Sequence, residues 1–324
     1  MEAALYGAGG FFAGAGTGPA GHFRTSAHAS PLFAAALLRL IERVDAGLGH
    51  PTPFQVVDVG AGRGELLTTL QALLRSSAPR STLADRVELC GVEVCRRPAR
   101  LDAAIRWRRE VPDGIVGMLA ATEWLDNVPV DVAEVDDAGQ VRRVLVDPAS
   151  GVEALGAAVD AADRFWLARW WAPGGWAGAR VEIGWPRDLA WADAVSKVSR
   201  GCALAVDYGH LRDERPGLGT LTGFRGGRQV EPVPDGSCDI TAHVAMDAVA
   251  RAAGTPYALI RQRKALKALG VDGGRPPIDL ARTDPAGYLR ALTGAGAAAE
   301  LIDPAGLGGH WWLLHAIGVD VAMP

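Results

Sequence analysis

The chain has 324 residues, of which 49% are hydrophobic and 22% charged, so it can bury a sizeable core. Its formal net charge of -4 and its sequence pI of about 6.0 exclude a general electrostatic attraction to nucleic acid. No run of about 18 apolar residues exists, and the N-terminal segment lacks the basic start of a signal peptide. We therefore expect a globular protein with no nucleic-acid partner and no membrane span.

The cysteines and histidines carry little further information. The four cysteines, Cys90, Cys95, Cys202 and Cys238, form no CxxC pair and stand mostly in apolar surroundings. This usage predicts buried, reduced thiols and a cytoplasmic location. No HxxxH or Cys/His pair has ligand spacing, so we expect no metal.

Strand and helix patterns alternate along the chain. Ser30 and Pro31 are typical of a helix start, and apolar residues at helical spacing follow as far as Val44. Further helices are expected at 65–74, 96–104, 158–171, 186–199, 240–254, 262–269 and 284–300. Strands are expected at 54–59, 86–93, 105–107, 115–122, 179–183, 202–209 and 311–319, with a hairpin across 136–140 and loops at 6–29 and 210–238.

This alternation predicts an α/β fold with a doubly wound, mostly parallel sheet. We expect a single domain over 1–324, with an N-terminal cap segment (1–50), an inserted α/β segment (127–200) and helical additions. Ligands of such sheets bind at the carboxyl ends of the strands. Gly60–Gly64, Glu93, Thr122–Asp126 and Asp207–Gly209 should therefore converge on one edge.

The stretch QVVDVGAGRGE (55–65) places Asp58, Gly60, Gly62 and Gly64 at a strand-to-helix turn. Three missing Cβ atoms let the backbone approach a ligand closely, and the helix N-terminus offers free N–H groups. Phosphate, pyrophosphate or a carboxylate would fit. A P-loop is excluded because no GK[ST] follows, and GxGxxG is not met because the third glycine comes one residue early.

Glu93 ends the second predicted strand, where a carboxylate can accept both hydroxyls of a ribose. It lies 33 residues after Gly60 (93 minus 60), against a spacing of about 20 in nicotinamide sites. An acid, GxGxG and a second acid at these positions resemble the S-adenosylmethionine (SAM) site of class I methyltransferases. The resemblance implies SAM as cofactor, bound by Asp58, the three glycines and Glu93.

Motifs along nearly the whole chain resemble the MidA family of methyltransferases, which includes a mitochondrial complex I assembly factor that methylates arginine in a partner subunit. TEWLDNVPV (122–130) is similar to the family's NEFxDALPV, and GHFRTS (21–26) is similar to GDFxTS. The other matching segments are ALYGAGGFF (4–12), VDYG (206–209), GTLTGFR (219–225) and DITAHV (239–244).

The resemblance implies roles for these segments. Thr25 and Thr122 are expected beside the cofactor, and Glu123, Asp126 and Asp207 are the candidate catalytic residues. Glu123 and Asp126, three residues apart just past a strand, could orient a guanidinium by bidentate hydrogen bonds. The alternative is that Glu123 caps the following turn and Asp126 is solvated; we favour the site role for Glu123, whereas the two are equal for Asp126. Asp207 could instead bind a backbone amide or His243, and Asp239 is expected to cap the helix near 240.

Candidate substrate residues are His22, His28, Tyr208 and His243, although His243 could equally be a hydrogen-bonded core histidine. Four positions depart from the family pattern: His22 and His28 replace acids, Ala27 replaces a proline, and Thr122 replaces an asparagine. Guanidinium recognition by acids at 22 and 28 is therefore lost.

The sequence favours a SAM-dependent methyltransferase that acts on a protein side chain, with arginine as the acceptor by analogy. A protein substrate or assembly partner is expected, and the oligomeric state stays open. One alternative is a non-catalytic SAM-binding protein that assists assembly of a partner. Another is a small-molecule methyltransferase.

Overall fold

The computed structural model describes residues 1–12, 25–77, 82–171, 176–321 and 324. The chain forms two compact units. We call one the sheet unit, which consists of Arg24–Thr122, Lys197–Val206 and Pro256–Pro324. We call the other the accessory unit, which consists of Met1–Phe23, Glu123–Ser196 and Asp207–Thr255.

The helices of the described residues are α1 (Glu2–Tyr6), α2 (Ser26–Ala29), α3 (Pro31–Gly47), α4 (Glu65–Ser77), α5 (Ala161–Trp170), α6 (Trp185–Ser196), α7 (Met246–Ala252), α8 (Gln262–Ala268), α9 (Ile278–Thr283) and α10 (Pro285–Ile302). Single 3₁₀ turns lie at Thr82–Asp85, Leu125–Asn127, Arg212–Glu214 and Leu307–Gly309. None of these helices combines the length and apolar character that a membrane crossing requires.

The strands are β1 (Phe54–Val59), β2 (Val87–Val92), β3 (Arg106–Arg108), β4 (Ile115–Thr122), β5 (Asp131–Val135), β6 (Val141–Val146), β7 (Glu153–Ala158), β8 (Arg180–Ile183), β9 (Val198–Asp207), β10 (Gly209–His210), β11 (Thr222–Arg225), β12 (Arg228–Val230), β13 (Asp239–Thr241), β14 (Val244–Ala245), β15 (Tyr257–Arg261) and β16 (Trp311–Ile317).

A seven-stranded sheet forms the centre of the sheet unit, in the order β15-β16-β9-β4-β1-β2-β3. The five strands from β9 to β3 pair in parallel, and β15 pairs antiparallel with β16. Parallel strands need crossover connections, and α4 supplies the one between β1 and β2. The predicted α/β fold with a mostly parallel sheet is confirmed.

The core of the sheet unit follows from its apolar runs. In β1 and β4 nearly every residue is buried, as expected for strands that are covered on both faces. Helix α3 begins at Pro31, where the Ser30 side chain accepts a hydrogen bond from the Leu32 amide, and its buried face carries Phe33 and Leu37. These interactions fix β1, β4 and the turn that follows β1.

The accessory unit contains three small sheets. Four antiparallel strands run in the order β7-β6-β5-β8, three run in the order β12-β11-β13, and β10 pairs with β14. The predicted hairpin across 136–140 is confirmed, because β5 and β6 pair antiparallel on either side of it. Trp166 and Trp171 pack with Val181 and Ile183 in the core of the four-stranded sheet.

The helix predicted at 96–104 is wrong, since the segment is a chain of turns. Pro98 interrupts it, and the Arg97 guanidinium donates hydrogen bonds to the carbonyl oxygens of Leu101, Asp102 and Ile105. A side chain thus provides the partners that a helix would have found in its own backbone.

The helix predicted at 240–254 is also wrong in its first half. Residues 239–241 form β13, which pairs with β11, residues 244–245 form β14, and only Met246–Ala252 is helical. Asp239 therefore caps no helix, which corrects that expectation. The predicted loop 210–238 contains β11 and β12, and β7, β15, α1 and α9 are further elements that the sequence patterns did not indicate.

Candidate functional site

The turn after β1 has a backbone that strongly favours glycine at three positions. Gly60, Gly62 and Gly64 have φ angles of 72°, 56° and 81°, in the left-handed region that other residues rarely adopt. Among the residues that the structure describes, a Cβ placed on Gly62 would meet only Glu65 Oε2, at 3.5 Å, so these residues leave open the space beside Gly62. The turn therefore exposes bare backbone at the start of α4.

Glu93 lies at the carboxyl end of β2 and contacts this turn. Its Oε2 accepts a hydrogen bond from the Gly62 amide (3.0 Å), and its Oε1 accepts one from the Cys95 amide (3.2 Å). The amides of Gly60 and Ala61 donate to the Val92 carbonyl, which ties the turn to the same strand end. The second acid and the glycine turn thus form one structure.

Thr122 ends β4 at the same edge of the sheet. The register pairs Val59 of β1 with Val92 of β2 and with Ala121 of β4, so Gly60, Glu93 and Thr122 follow three adjacent strand ends. The Thr122 hydroxyl is buried and has no hydrogen-bond partner among the described residues. The predicted convergence therefore holds for these three positions within the sheet unit.

Asp58 is buried in β1 just before the turn. Burial, together with the nearby Glu65 and Glu93 carboxylates, raises the pKa of Asp58 to about 8. This pKa leaves Asp58 mostly protonated at neutral pH. A positively charged ligand beside the turn would favour its ionised form.

Thr25 and His28 lie in and beside the short helix α2 of the sheet unit. Thr25 Oγ1 is 2.5 Å from His28 Nδ1, and His28 Nε2 is 3.2 Å from Glu65 Oε1. The Nε2–Oε1 distance is that of a salt bridge when His28 is protonated. His28 thus faces the first turn of α4, whereas the candidate His22 lies outside the described residues.

In the accessory unit, Asp207 binds backbone amides. Its carboxylate accepts hydrogen bonds from the amides of Leu125 (3.0 Å), Asp126 (3.3 Å) and Tyr208 (3.0 Å). Burial and the neighbouring Asp126 and Glu123 carboxylates raise the pKa of Asp207 well above its usual value. This arrangement corresponds to the backbone-amide alternative for Asp207.

Asp126 is also buried and saturated with donors. Its Oδ2 accepts hydrogen bonds from the hydroxyls of Tyr208 and Thr241, and its Oδ1 accepts one from the Asn127 side-chain amide at 3.0 Å. Burial raises the pKa of Asp126, while these donors oppose the shift. The carboxylate that the sequence offered as a guanidinium ligand is used inside the unit.

Arg187 and Glu182 are two buried charged residues of the accessory unit that the sequence patterns did not single out. With Asp126 and Asp207 they form what we call the accessory frame. The Arg187 guanidinium donates to the carbonyl oxygens of Asp126, Val128, Ala242 and His243. Glu182 accepts from the amides of Thr220 (2.5 Å) and Leu221 (2.8 Å). The sequence signal for Glu182 is the glycine at position 219 of the GTLTGFR motif. A Cβ on Gly219 would come within 2.9 Å of the Glu182 carboxylate.

Tyr208 and His243 form the aromatic part of the unit. Tyr208 is half-buried, and its ring makes an edge-on contact with the exposed His243 ring, with centroids 5.4 Å apart. The His243 amide donates to the Thr220 hydroxyl at 2.9 Å, which links the DITAHV and GTLTGFR motifs. His243 is exposed, so it is not the hydrogen-bonded core histidine that the sequence left open.

Two further carboxylates of the accessory unit are conspicuous. Glu123 directly follows β4 and has a φ of 51°, a strained value for a residue with a side chain. Asp239 is 1% exposed, and within the described part of the chain neither of its carboxylate oxygens has a hydrogen-bond partner. Burial and the Asp126 charge raise the pKa of Asp239 to about 8.

A mostly parallel sheet with a glycine turn after β1 and an acid after β2 defines a class I SAM-dependent methyltransferase. The chain belongs to the family described as "Putative S-adenosyl-L-methionine-dependent methyltransferase", whose model matches residues 32–259. No curated protein has a significantly similar sequence.

Two solved structures from Burkholderia thailandensis are similar over the whole chain. One is a "likely methyl transferase" bound to S-adenosyl-homocysteine, with 25% identity and a TM-score of 0.80, and the match covers 100% of this chain and 88% of that one. The other is an uncharacterized protein with 24% identity and a TM-score of 0.78, covering 100% and 87%. The second likeness concerns the fold alone.

The residues of the sheet unit fit SAM as cofactor. SAM, when bound, supplies a methyl group on a positively charged sulfur. The turn would offer bare backbone, Glu93 would offer acceptor oxygens to ribose hydroxyls, and the carboxylates of Glu65 and Glu93 would offset positive charge. Holding and orienting the donor in this way is the main requirement of an in-line methyl transfer.

Proposed function

We propose that the methyl acceptor is a side chain of another protein and that this side chain is arginine. The support from the sequence is the resemblance to the MidA family, whose motifs extend over nearly the whole chain. The departures from the family pattern at His22 and His28 lie in the N-terminal cap segment (1–50), and the departure at Thr122 lies at the end of β4. They leave the carboxylates of the accessory unit unchanged.

The observation that carries the proposal is the backbone of Glu123. A left-handed conformation costs a residue with a Cβ about 1 kcal/mol or more, and such strain concentrates at functional sites. Glu123 adopts it at the first position after β4, next to Thr122 in the chain. A half-buried carboxylate held there is suited to orient a guanidinium by paired hydrogen bonds.

The remaining candidates take supporting roles in this proposal. Asp126 and Asp207 hold the segment that follows Glu123, because their oxygens already bind backbone amides and hydroxyls. Tyr208 and His243 offer an aromatic surface that suits a planar cation. We further propose that the two units act as one methyltransferase domain, that its partner is a protein substrate and that its location is cytoplasmic.

Transfer of a labelled methyl group tests the proposal. The purified protein is incubated with cell lysate and SAM that carries a labelled methyl group, and labelled proteins are hydrolysed to identify methylarginine. We expect label in protein, lost in Glu123→Gln and retained in Glu110→Gln, an exposed glutamate of the sheet unit. Label in small molecules alone, or no transfer despite SAM binding, would contradict it.

A further inference from the structure

Hydrogen bonds to the core hold helix α2, and with it His28, in place within the sheet unit. Ser26 is fully buried, and its hydroxyl accepts a hydrogen bond from the Gln262 side-chain amide at 3.1 Å. Gln262 is itself fully buried and accepts a hydrogen bond from the Trp312 indole at 3.0 Å. Two buried hydrogen bonds thus anchor α2 to the core.

The His28 ring, carried by helix α2, lies between two partners. Thr25 Oγ1 lies 2.5 Å from one ring nitrogen, and Glu65 Oε1 lies 3.2 Å from the other. The second oxygen of Glu65 accepts a hydrogen bond from the Arg63 amide at 2.9 Å, so this carboxylate belongs to the glycine turn. His28 therefore places a potential positive charge against the acid at the start of α4.

The other charges at the turn are mostly negative. Glu93 binds the Gly62 amide, and its charge and that of Glu65 help to raise the pKa of the buried Asp58, which therefore stays mostly protonated and adds little negative charge of its own. Arg63 is exposed. Since Glu65 is paired with His28, the charge on His28 decides how much of the negative field at the turn remains.

The donor and the product of the reaction differ in charge at one atom. SAM carries a methyl group and a positive charge on its sulfur, and S-adenosylhomocysteine carries neither. A defect in the shape of the site away from the methyl group weakens both ligands alike. A change in the field at the turn acts on their ratio, because only SAM carries the sulfonium charge.

We propose that His28, through its ion pair with Glu65, sets the discrimination between SAM and S-adenosylhomocysteine. When protonated, His28 offsets the charge of Glu65 and so limits the preference for the donor. The affinities for SAM and S-adenosylhomocysteine are then closer to each other than they would be if Glu65 and Glu93 acted without His28. The inference concerns the cofactor site and is independent of which acceptor is methylated.

Calorimetric titration of both ligands against His28→Gln, His28→Lys and Glu65→Gln tests this role. The quantity compared is the Kd of S-adenosylhomocysteine divided by the Kd of SAM. We expect His28→Gln to raise the ratio, Glu65→Gln to lower it, and His28→Lys to leave it near the wild-type value. Each shift should be roughly two- to tenfold, as for a partly screened unit charge at a separation on the order of 10 Å.

His50→Gln is the matched control, because His50 also pairs with an acid, Asp45, at 2.7 Å. It precedes β1 and therefore lies at the opposite end of that strand from the glycine turn. Its ratio should equal that of the wild type. An unchanged ratio in His28→Gln, or shifts of the same sign in His28→Gln and Glu65→Gln, would overturn the proposal, whatever happens to the two affinities.

Discussion

The acids of the two units differ in what they bind. In the sheet unit, Glu93 and Glu65 hold amides of the glycine turn and remain half-buried. In the accessory unit, Asp126 and Asp207 are almost fully buried, and amides and hydroxyls of their own unit occupy their oxygens.

This difference separates ligand-binding acids from acids that build a frame. All four follow or flank strand ends and look equivalent in the sequence. A half-buried carboxylate beside bare backbone keeps acceptor capacity for a ligand, whereas a saturated buried carboxylate has little left. Mutations in the sheet unit should therefore affect binding, and mutations in the accessory frame should affect stability.

The largest effect is expected for Arg187→Met. It removes the donor of four carbonyl oxygens and takes a positive charge away from the buried Asp126, so stability should fall by about 3–5 kcal/mol. Chemical denaturation measures this loss. Arg228→Met changes an exposed arginine of the same unit and should cost little. Equal losses in the two variants would contradict a framing role for Arg187.

Gly62→Val should affect binding more than stability. A branched side chain at a φ of 56° is strained and fills the open space beside the turn, so SAM affinity should fall by about a hundredfold or more. Gly139→Val carries a similar strain at a φ of 78° in the hairpin between β5 and β6, where a Cβ meets nothing within 4 Å. Calorimetry should show normal SAM binding for Gly139→Val, and a similar loss in both would refute the site.

Glu93→Ala should weaken SAM binding by roughly 1–3 kcal/mol, because ribose hydroxyls lose a charged acceptor and the turn loses its bond to β2. Titration calorimetry again gives the affinity. Glu88→Ala removes a glutamate at the other end of the same strand, where it pairs with Arg106. An unchanged SAM affinity in Glu93→Ala would contradict the role of Glu93 in binding the ribose.

The smallest effect concerns Asp239, the accessory acid without a partner. Its folded pKa of about 8 exceeds the usual value of 3.8, so the folded state keeps a proton that the unfolded state releases. Stability contributed by this group is therefore present at low pH and is lost as the pH rises from about 4 to 8. Asp239→Asn should remove that slope and stabilise the protein by roughly 1 kcal/mol near pH 8.

Thermal unfolding at pH 5 and pH 8 measures the slope for Asp239. Asp235→Asn is the control, because the Ser237 side chain and amide lower the pKa of the exposed Asp235. Its contribution has the opposite sign and is lost at low pH. A destabilised Asp239→Asn at pH 8 would mean that this carboxylate has a stabilising partner.

The central sheet could be predicted because β1 and β4 are buried on both faces and read as continuous apolar runs. The segments at 96–104 and 240–254 could not. Arg97 stabilises turns through three carbonyl oxygens, and the DIT of DITAHV pairs with β11. The first contact is made locally by a side chain and the second by a distant strand, and helical periodicity records neither.

The site divides in the same way. Asp58, the glycines and Glu93 could be found because a local turn and strand order place them together. Arg187 and Glu182 were missed because their partners lie 38 to 61 residues away in sequence. Nothing local to α6 or β8 distinguishes a buried arginine or glutamate from a solvated one.

The most direct test of the account is a calorimetric titration of the purified protein with SAM. The glycine turn and Glu93 predict saturable binding of one SAM per chain, with a dissociation constant on the order of micromolar. Absence of binding at about millimolar SAM would contradict the cofactor site and everything proposed from it.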